Sequence, residues 1–225
     1  MKVIITGTTG MVGEGVLLEC LTNPQVTEVL SVSRKPAGIS HPKLKEYIVP
    51  DFLSLKEPDV RLEGYDACFF CAGVSSVGMK EPEYTRMTYD TTLKFARAVD
   101  PNPAMTFVYV SGASTDSSEK GRMMWARVKG KTENDLMKLS FKKVFGFRPG
   151  LMVPIKGQKR VLKYYNYVSW LIPLIKLLFP NSITTIAQVG QAMIYAAKNG
   201  YGKNIVEVSD IKILSSMLVG DSQAN

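Results

Sequence analysis

Gly7, Gly10 and Gly13 repeat as G-x-x-G-x-x-G between an apolar run, "KVIIT", and a second apolar stretch that begins at Val12. Glycines at this spacing suit the binding of a pyrophosphate. They permit a tight turn, let the backbone come up to the anion and let a helix pack closely on a strand. The amino terminus of that helix adds unpaired N–H groups. The strand–turn–helix setting, more than the glycines themselves, marks a dinucleotide site. An NAD site places Asp or Glu about 20 residues further on, where it accepts from the ribose hydroxyls. Here "VLSVSRKP" puts Ser33, Arg34 and Lys35 in that place. A carboxylate would repel a 2′-phosphate, whereas a guanidinium grips it through two charge-assisted hydrogen bonds. NADP(H) is therefore expected in preference to NAD(H).

A second group lies in "MWARVKG", where Trp125 precedes Lys129 by four residues. On a helix the two share a face. An indole N–H donates a hydrogen bond but cannot cycle a proton. Ser111 and Ser114 fall in "VYVSGASTDSS", just past an apolar run. Hydroxyls there either serve chemistry or satisfy the backbone of the loop. Cys68 and Cys71 are three apart in the apolar run "DACFFCAG". On a strand they point to opposite sides, which argues against a thioredoxin-like pair, a disulfide or a shared metal. With one histidine, His41, a zinc site is not expected.

These residues need elements to hold them. "KVIIT", "EVLSVS", "EYIVPD", "DACFFCAG", "MTFVYVS", "KKVFGFR" and "NIVEVS" read as strands, several apolar throughout, as strands covered on both faces are. Helices are expected over Val12–Leu21, Glu83–Val99, Arg122–Leu139 and Ile186–Lys198. The last has Thr185 as N-cap, Gln188 at the capping-box position and Asn199–Gly200 as its stop. The alternation predicts an α/β fold, a Rossmann-type doubly wound parallel sheet with helices on both faces. With 225 residues, 45% of them hydrophobic, the expected organisation is a single domain over 1–225, with 151–185 adding a small substrate-side cap.

From Lys120 to Lys163 the chain carries thirteen cations against two acids, Glu133 and Asp135, within a net charge of +8. This asymmetry either attracts an anionic ligand or is a solvated helix face. No zinc finger, Arg-rich arm or aromatic RNA-binding motif accompanies it, so specific nucleic-acid binding is not expected. "VLKYYNYVSWLIPLIKLLFP" is interrupted by Lys163, Pro173 and Lys176 and is too short of clean apolar residues for a membrane span. It is expected to pack as helical core with Trp170 and Leu171 inward, the alternatives being a cleft cover, a dimer contact or a membrane-surface segment. The opening residues show no secretory signal pattern, and the expected location is cytoplasmic, as a monomer or homodimer.

The ordered series "TGTTGMVGEG", "SRKP", "PDF", "CAG", "VYVSGAST", "KG" and "FRPGL" resembles the short-chain dehydrogenase/reductase superfamily. The likeness is to its atypical, epimerase-like members of the kind of Tat-interacting protein of 30 kDa, and it spans nearly the whole chain, including "TTIAQVGQAMIYAA". Carried over by position, the resemblance implies that Gly7, Thr9, Gly10, Met11, Val12 and Gly13 hold the pyrophosphate and Arg34 the 2′-phosphate. Asp51 and Phe52 would flank the adenine, Cys71, Ala72 and Gly73 would line the ribose, and Pro149 and Gly150 would lie near the nicotinamide. In that family a Tyr-x-x-x-Lys pair, helped by a Ser or Thr after the fifth strand, transfers the proton. The lysine lowers the phenol pKa and the phenol protonates the carbonyl as hydride arrives. Lys129 is kept, Ser111 and Ser114 stand where the hydroxyl belongs, and Trp125 replaces the tyrosine. No tyrosine lies between Tyr109 and Tyr164, so no shift of register restores the pair. Two readings remain open. One is oxidoreductase or epimerase-like activity on an unidentified carbonyl or hydroxyl substrate, with the proton from Ser111, Ser114, water, Tyr164 or Tyr165. The other is a non-catalytic NADP(H)-binding regulatory or sensing module.

Overall fold

The computed structural model describes residues 1–161, 170 and 172–223. Its strands are β1 (Lys2–Thr6), β2 (Glu28–Ser33), β3 (Leu44–Ile48), β4 (Ala67–Phe70), β5 (Thr106–Val110), β6 (Lys143–Arg148), β7 (Leu151–Val153), β8 (Ile183–Thr185) and β9 (Ile205–Glu207). Seven of them form one parallel sheet in the order β3-β2-β1-β4-β5-β6-β9, and β7 and β8 form a separate parallel pair. The chain starts in the middle of the sheet, builds outward to β3, then returns to β4 on the other side of β1. Between β1 and β4 the order reverses, and that is where a doubly wound sheet opens a crevice at its carboxyl ends. Register aligns those ends: Thr6 pairs with both Val32 and Phe70, and Phe70 with Tyr109. The chain therefore leaves the sheet at one edge through Gly7, Arg34, Cys71 and Ser111.

Alternation along the strands divides two cores. Val3, Ile5, Phe145 and Phe147 pack with Val16, Leu17, Val189, Met193 and Leu214 on one face. Ile4, Phe70, Phe107 and Tyr109 pack with Phe52, Leu93, Phe95 and Leu136 on the other. The helices are α1 (Met11–Thr22), α2 (Glu81–Thr85), α3 (Thr91–Ala98), α4 (Met124–Leu136), α5 (Ile172–Leu178), α6 (Ile186–Asn199) and α7 (Val208–Gln223). Cys68 lies in the second core and half-buried Cys71 packs against the first, on opposite sides of the sheet. The start of α6 follows its sequence signal: the Gln188 N–H donates to Thr185 Oγ1 at 3.1 Å, and the Thr185 N–H to Gln188 Oε1 at 2.9 Å.

Several elements differ from expectation. The stretch expected as one helix over Glu83–Val99 is α2 and α3 joined by a π-helical turn at Arg86–Asp90. The last strand stops at Glu207, because Val208 already opens α7. Asp210 in the first turn of that helix accepts from the Glu207 N–H, Tyr201 Oη and Lys203 Nζ, a helix start built from partners that lie upstream of it. The inward packing expected for Trp170 does not occur. Among the described residues helix α5 touches the turn Pro180–Ser182 and, through Ile172, the edge of the first core, while Trp170 is 74% exposed and Leu177, Leu178 and Phe179 are exposed too. Leu171, Tyr164 and Tyr165 lie outside the described residues. Among those residues no helix is long and apolar enough to cross a membrane.

Candidate functional site

A cleft of about 560 Å³ opens at the β1/β4 reversal. Gly7, Thr9, Gly10, Ser33, Arg34, Asp51, Phe52, Cys71, Ala72 and Gly73 all line it, so most of the expected cofactor residues come together. The three glycines have different reasons for being there. Gly7 has φ +70°, and a Cβ on it would fall 2.7 Å from the backbone of Cys71 and Ala72. That approach is held by Thr6 Oγ1, which accepts from the Cys71 and Ala72 N–H groups at 3.1 Å each. Gly13 is pressed on the backbone of Gly7, with no room for a Cβ. Gly10 differs from both. Its backbone is extended, and its Cβ would meet only the Gly7 carbonyl, at an ordinary 3.4 Å. Among the described residues nothing requires a glycine at position 10, where an anion drawn up to the helix would approach. No side chain caps α1, so its first amides remain available to that anion. The cradle fits a dinucleotide pyrophosphate.

Arg34 is exposed at the end of β2 and forms no ion pair among the described residues. Its neighbours are occupied otherwise. Ser33 Oγ donates to the Lys35 carbonyl at 2.6 Å, and Lys35 is exposed outside the cleft wall. Asp51 Oδ1 accepts from the Leu53 N–H at 2.9 Å and so caps its own turn. Phe52 is 7% exposed and its ring lies tilted against Phe95, 5.1 Å between centroids, so it offers the cleft an edge of the core. Met11 and Gly13 are buried behind the loop and Val12 is half-buried, none of them in the cleft wall.

The second group stands apart from this wall. Ser111, Ser114, Trp125, Lys129, Pro149 and Gly150 do not line the cleft. Ser111 is buried and its hydroxyl donates to Glu133 Oε1 at 2.5 Å, with the Phe147 carbonyl at 3.1 Å. Ser114 is exposed with φ +66°, in the left-handed region that few non-glycine residues occupy. Lys129 Nζ donates to the Ser111 carbonyl at 2.5 Å. Loss of water around it pulls its pKa down to about 8, against an opposing pull from Glu133. Pro149 accepts from the Ala113 N–H at 2.9 Å, and Gly150 leaves space for the Ser182 carbonyl. Both hold the β5 loop and β8 in place.

Some residues of the site carry no local sequence signal. Glu83, Arg86, Met87 and Thr91 form the helical wall of the cleft. The spacing of Glu83, Met87 and Thr91 hints at a shared face. Glu14, buried in the first turn of α1, accepts from the Arg160 N–H at 2.6 Å and from the Arg160 guanidinium at 3.3 Å. Gln158 donates to the Met11 carbonyl. Together they pin residues 158–160 onto the glycine turn.

This is a Rossmann-type fold, a doubly wound parallel sheet with its crevice at the β1/β4 reversal. Solved structures share it: MoeE5 in complex with UDP-glucuronic acid and NAD has a TM-score of 0.65 at 18% identity, over 98% of this chain and 83% of that one. UDP-glucuronic acid 4-epimerase from Bacillus cereus gives 0.63 at 16% identity, over 99% and 83%. A short chain dehydrogenase family protein from Francisella tularensis gives 0.59 at 17%, over 88% and 91%. No family model matches the sequence. Nevertheless the chain belongs to the FMP52 family. It is 32% identical over 165 residues to protein fmp52, mitochondrial, of Aspergillus clavatus, covering 70% of this chain and 68% of that protein. To the protein of that name from Emericella nidulans it is 30% identical over 166 residues, 71% and 70% of the two chains. These names overturn the cytoplasmic expectation and point to mitochondria. The expectation rested on a missing secretory pattern, which reports on secretion and not on residence in an organelle.

Proposed function

We propose that the protein binds NADP(H) in the β1/β4 cleft and that dinucleotide binding, more than carbonyl reduction, is the function its geometry serves. Gly10 carries this reading, as a glycine that the fold does not need at the point where a pyrophosphate would approach. Thr9 and the amides that open α1 hold the pyrophosphate, Arg34 holds the 2′-phosphate, and Ala72 and Gly73 receive the ribose. The nicotinamide, when bound, supplies or accepts a hydride. Toward that end of the site the chain offers Lys129, and Trp125 one turn before it, whose indole N–H donates a hydrogen bond but does not titrate. The Ser111 hydroxyl is committed to Glu133.

Preference for the phosphorylated coenzyme follows from Arg34. Arg34→Ala is expected to raise the Kd for NADPH roughly 10- to 100-fold, the worth of hydrogen bonds to a charged group, and to change that for NADH less than about threefold. Calorimetric titration of both coenzymes reads the two numbers. Equal losses would remove the preference.

The second reading, oxidoreductase or epimerase-like activity with the proton supplied by Ser114 or water, draws on two observations. Lys129 is retained with its pKa near 8, and the exposed Ser114 is held in an uncommon backbone conformation. Trp125→Tyr separates the readings. A restored phenol one turn before Lys129 should raise NADPH-dependent reduction of some aldehyde or ketone by about 10²-fold, the lower end of what a general acid contributes. A flat response across a broad carbonyl panel leaves binding without turnover.

A further inference from the structure

The wall of the cleft that faces the strand ends is interrupted by the π turn at Arg86–Asp90. The Arg86 carbonyl accepts from the Thr91 N–H and from Thr91 Oγ1, the latter at 2.9 Å. A π turn bonds residue i to i+5 and so brings those two into line. On an uninterrupted α-helix, residues five apart diverge by about 140° around the axis. Because of the extra residue, Arg86 and Thr91 line the same cleft.

Arg86 also forms no ion pair among the described residues, and outside the cleft wall the same holds for Arg97 and Arg122. Arg61, Arg127, Arg148 and Arg160 are tied to Asp59, Glu81, Glu133 and Glu14. The two arginines that line the cleft, Arg34 and Arg86, are both exposed and form no ion pair among the described residues. Two carboxylates share the wall. Asp51 is turned to the Leu53 N–H, and Glu83, three residues before Arg86, does not pair with it among the described residues. A cleft lined by two guanidiniums that form no ion pair among the described residues favours an anion beside them. Guanidinium geometry matches a phosphate through two parallel N–H groups.

We infer that Arg86 is a second phosphate-recognising residue of this cleft, acting from the helical wall while Arg34 acts from the β2 end. The inference rests on the dinucleotide reading above, whose phosphates are of two kinds, the 2′-phosphate and the pyrophosphate. Titration of NADPH and NADH into the wild type, Arg86→Ala, Arg86→Lys and Arg34→Ala, each at two salt concentrations, tests it. Arg86→Ala should weaken NADPH about tenfold and flatten the salt dependence, with the melting temperature unchanged because the side chain is exposed. A loss confined to NADPH places Arg86 on the 2′-phosphate, and an equal loss for both coenzymes places it on the pyrophosphate. Arg86→Lys should recover part of the affinity, as a point charge without the fork. Arg86→Ala affinities within twofold of wild type, beside an Arg34→Ala variant that does lose NADPH, overturn the inference and leave the reading standing. No binding of either coenzyme to the wild type overturns both.

Discussion

Gly13→Ala is expected to destabilise the protein by about 3 kcal/mol or more, the upper range for forcing extra volume into a packed site, and Gly10→Ala to leave stability almost unchanged while weakening NADPH about 100-fold. The two glycines are three residues apart in one loop, and the difference comes from what each missing Cβ faces. At position 13 an added Cβ would lie on the carbonyl of Gly7. Gly7 cannot retreat, since it is held at φ +70° against the backbone of Cys71 and Ala72. Helix α1 would have to move off β1. At position 10 an alanine meets only an ordinary contact in an extended backbone, and its lower freedom in the unfolded chain offsets part of any cost. The methyl would instead occupy space at the uncapped start of α1. A loss of about 2.7 kcal/mol in binding corresponds to that 100-fold. Thermal unfolding followed by circular dichroism and NADPH titration, run on both variants, separate the effects. Wild-type affinity in a folded Gly10→Ala protein would mean that no ligand comes up to this turn.

The parts of this molecule legible in its sequence are those whose cause is local. Strands β1, β2, β4, β5 and β6 are buried on both faces and show as apolar runs; the start of α6 shows because Thr185 and Gln188 carry their own hydrogen bonds. The place of Arg34 follows from counting onward from the glycines, since the register of β1 on β2 is set by that same chain length. What could not be read depends on partners far along the chain. Arg86 and Thr91 share the cleft wall across a π turn, which leaves no periodic trace. Glu14 looks like a surface acid on a helix until residues 158–160 close over it. Pro149 and Gly150 also have contacts that no local signal announces, with the backbone groups of Ala113 and Ser182. Trp170 shows the reverse fault, an apolar residue assigned to a core that the described elements do not build around it.

Glu133→Ala is expected to cost about 3–5 kcal/mol, the cost of breaking a buried ion pair by removing one partner. Glu133 is fully buried on α4 and its carboxylate accepts from Ser111 Oγ at 2.5 Å, Arg148 Nη2 at 2.5 Å and Arg148 Nε at 3.2 Å. Opposite it, Gly146 on β6 has no Cβ; one would stand 2.6 Å from Glu133 Oε1. The sheet thus leaves a gap sized for this acid. Truncation leaves the Arg148 guanidinium, itself 9% exposed, with only Ser117 Oγ at 2.5 Å and the distant, half-exposed Glu207 at 3.4 Å. It also leaves the hydroxyl of Ser111, the residue whose carbonyl holds Lys129, with the Phe147 carbonyl at 3.1 Å. At about 2–4 °C per kcal/mol for a chain of this size, the melting temperature should fall by roughly 10 °C. Replacing both partners, Glu133→Leu with Arg148→Met, should restore much of that loss, because apolar side chains of similar volume often serve as well as a buried pair. A Glu133→Ala protein that melts within about 2 °C of wild type would show that water enters to replace the carboxylate, and that Lys129 is held by the backbone of β5 alone.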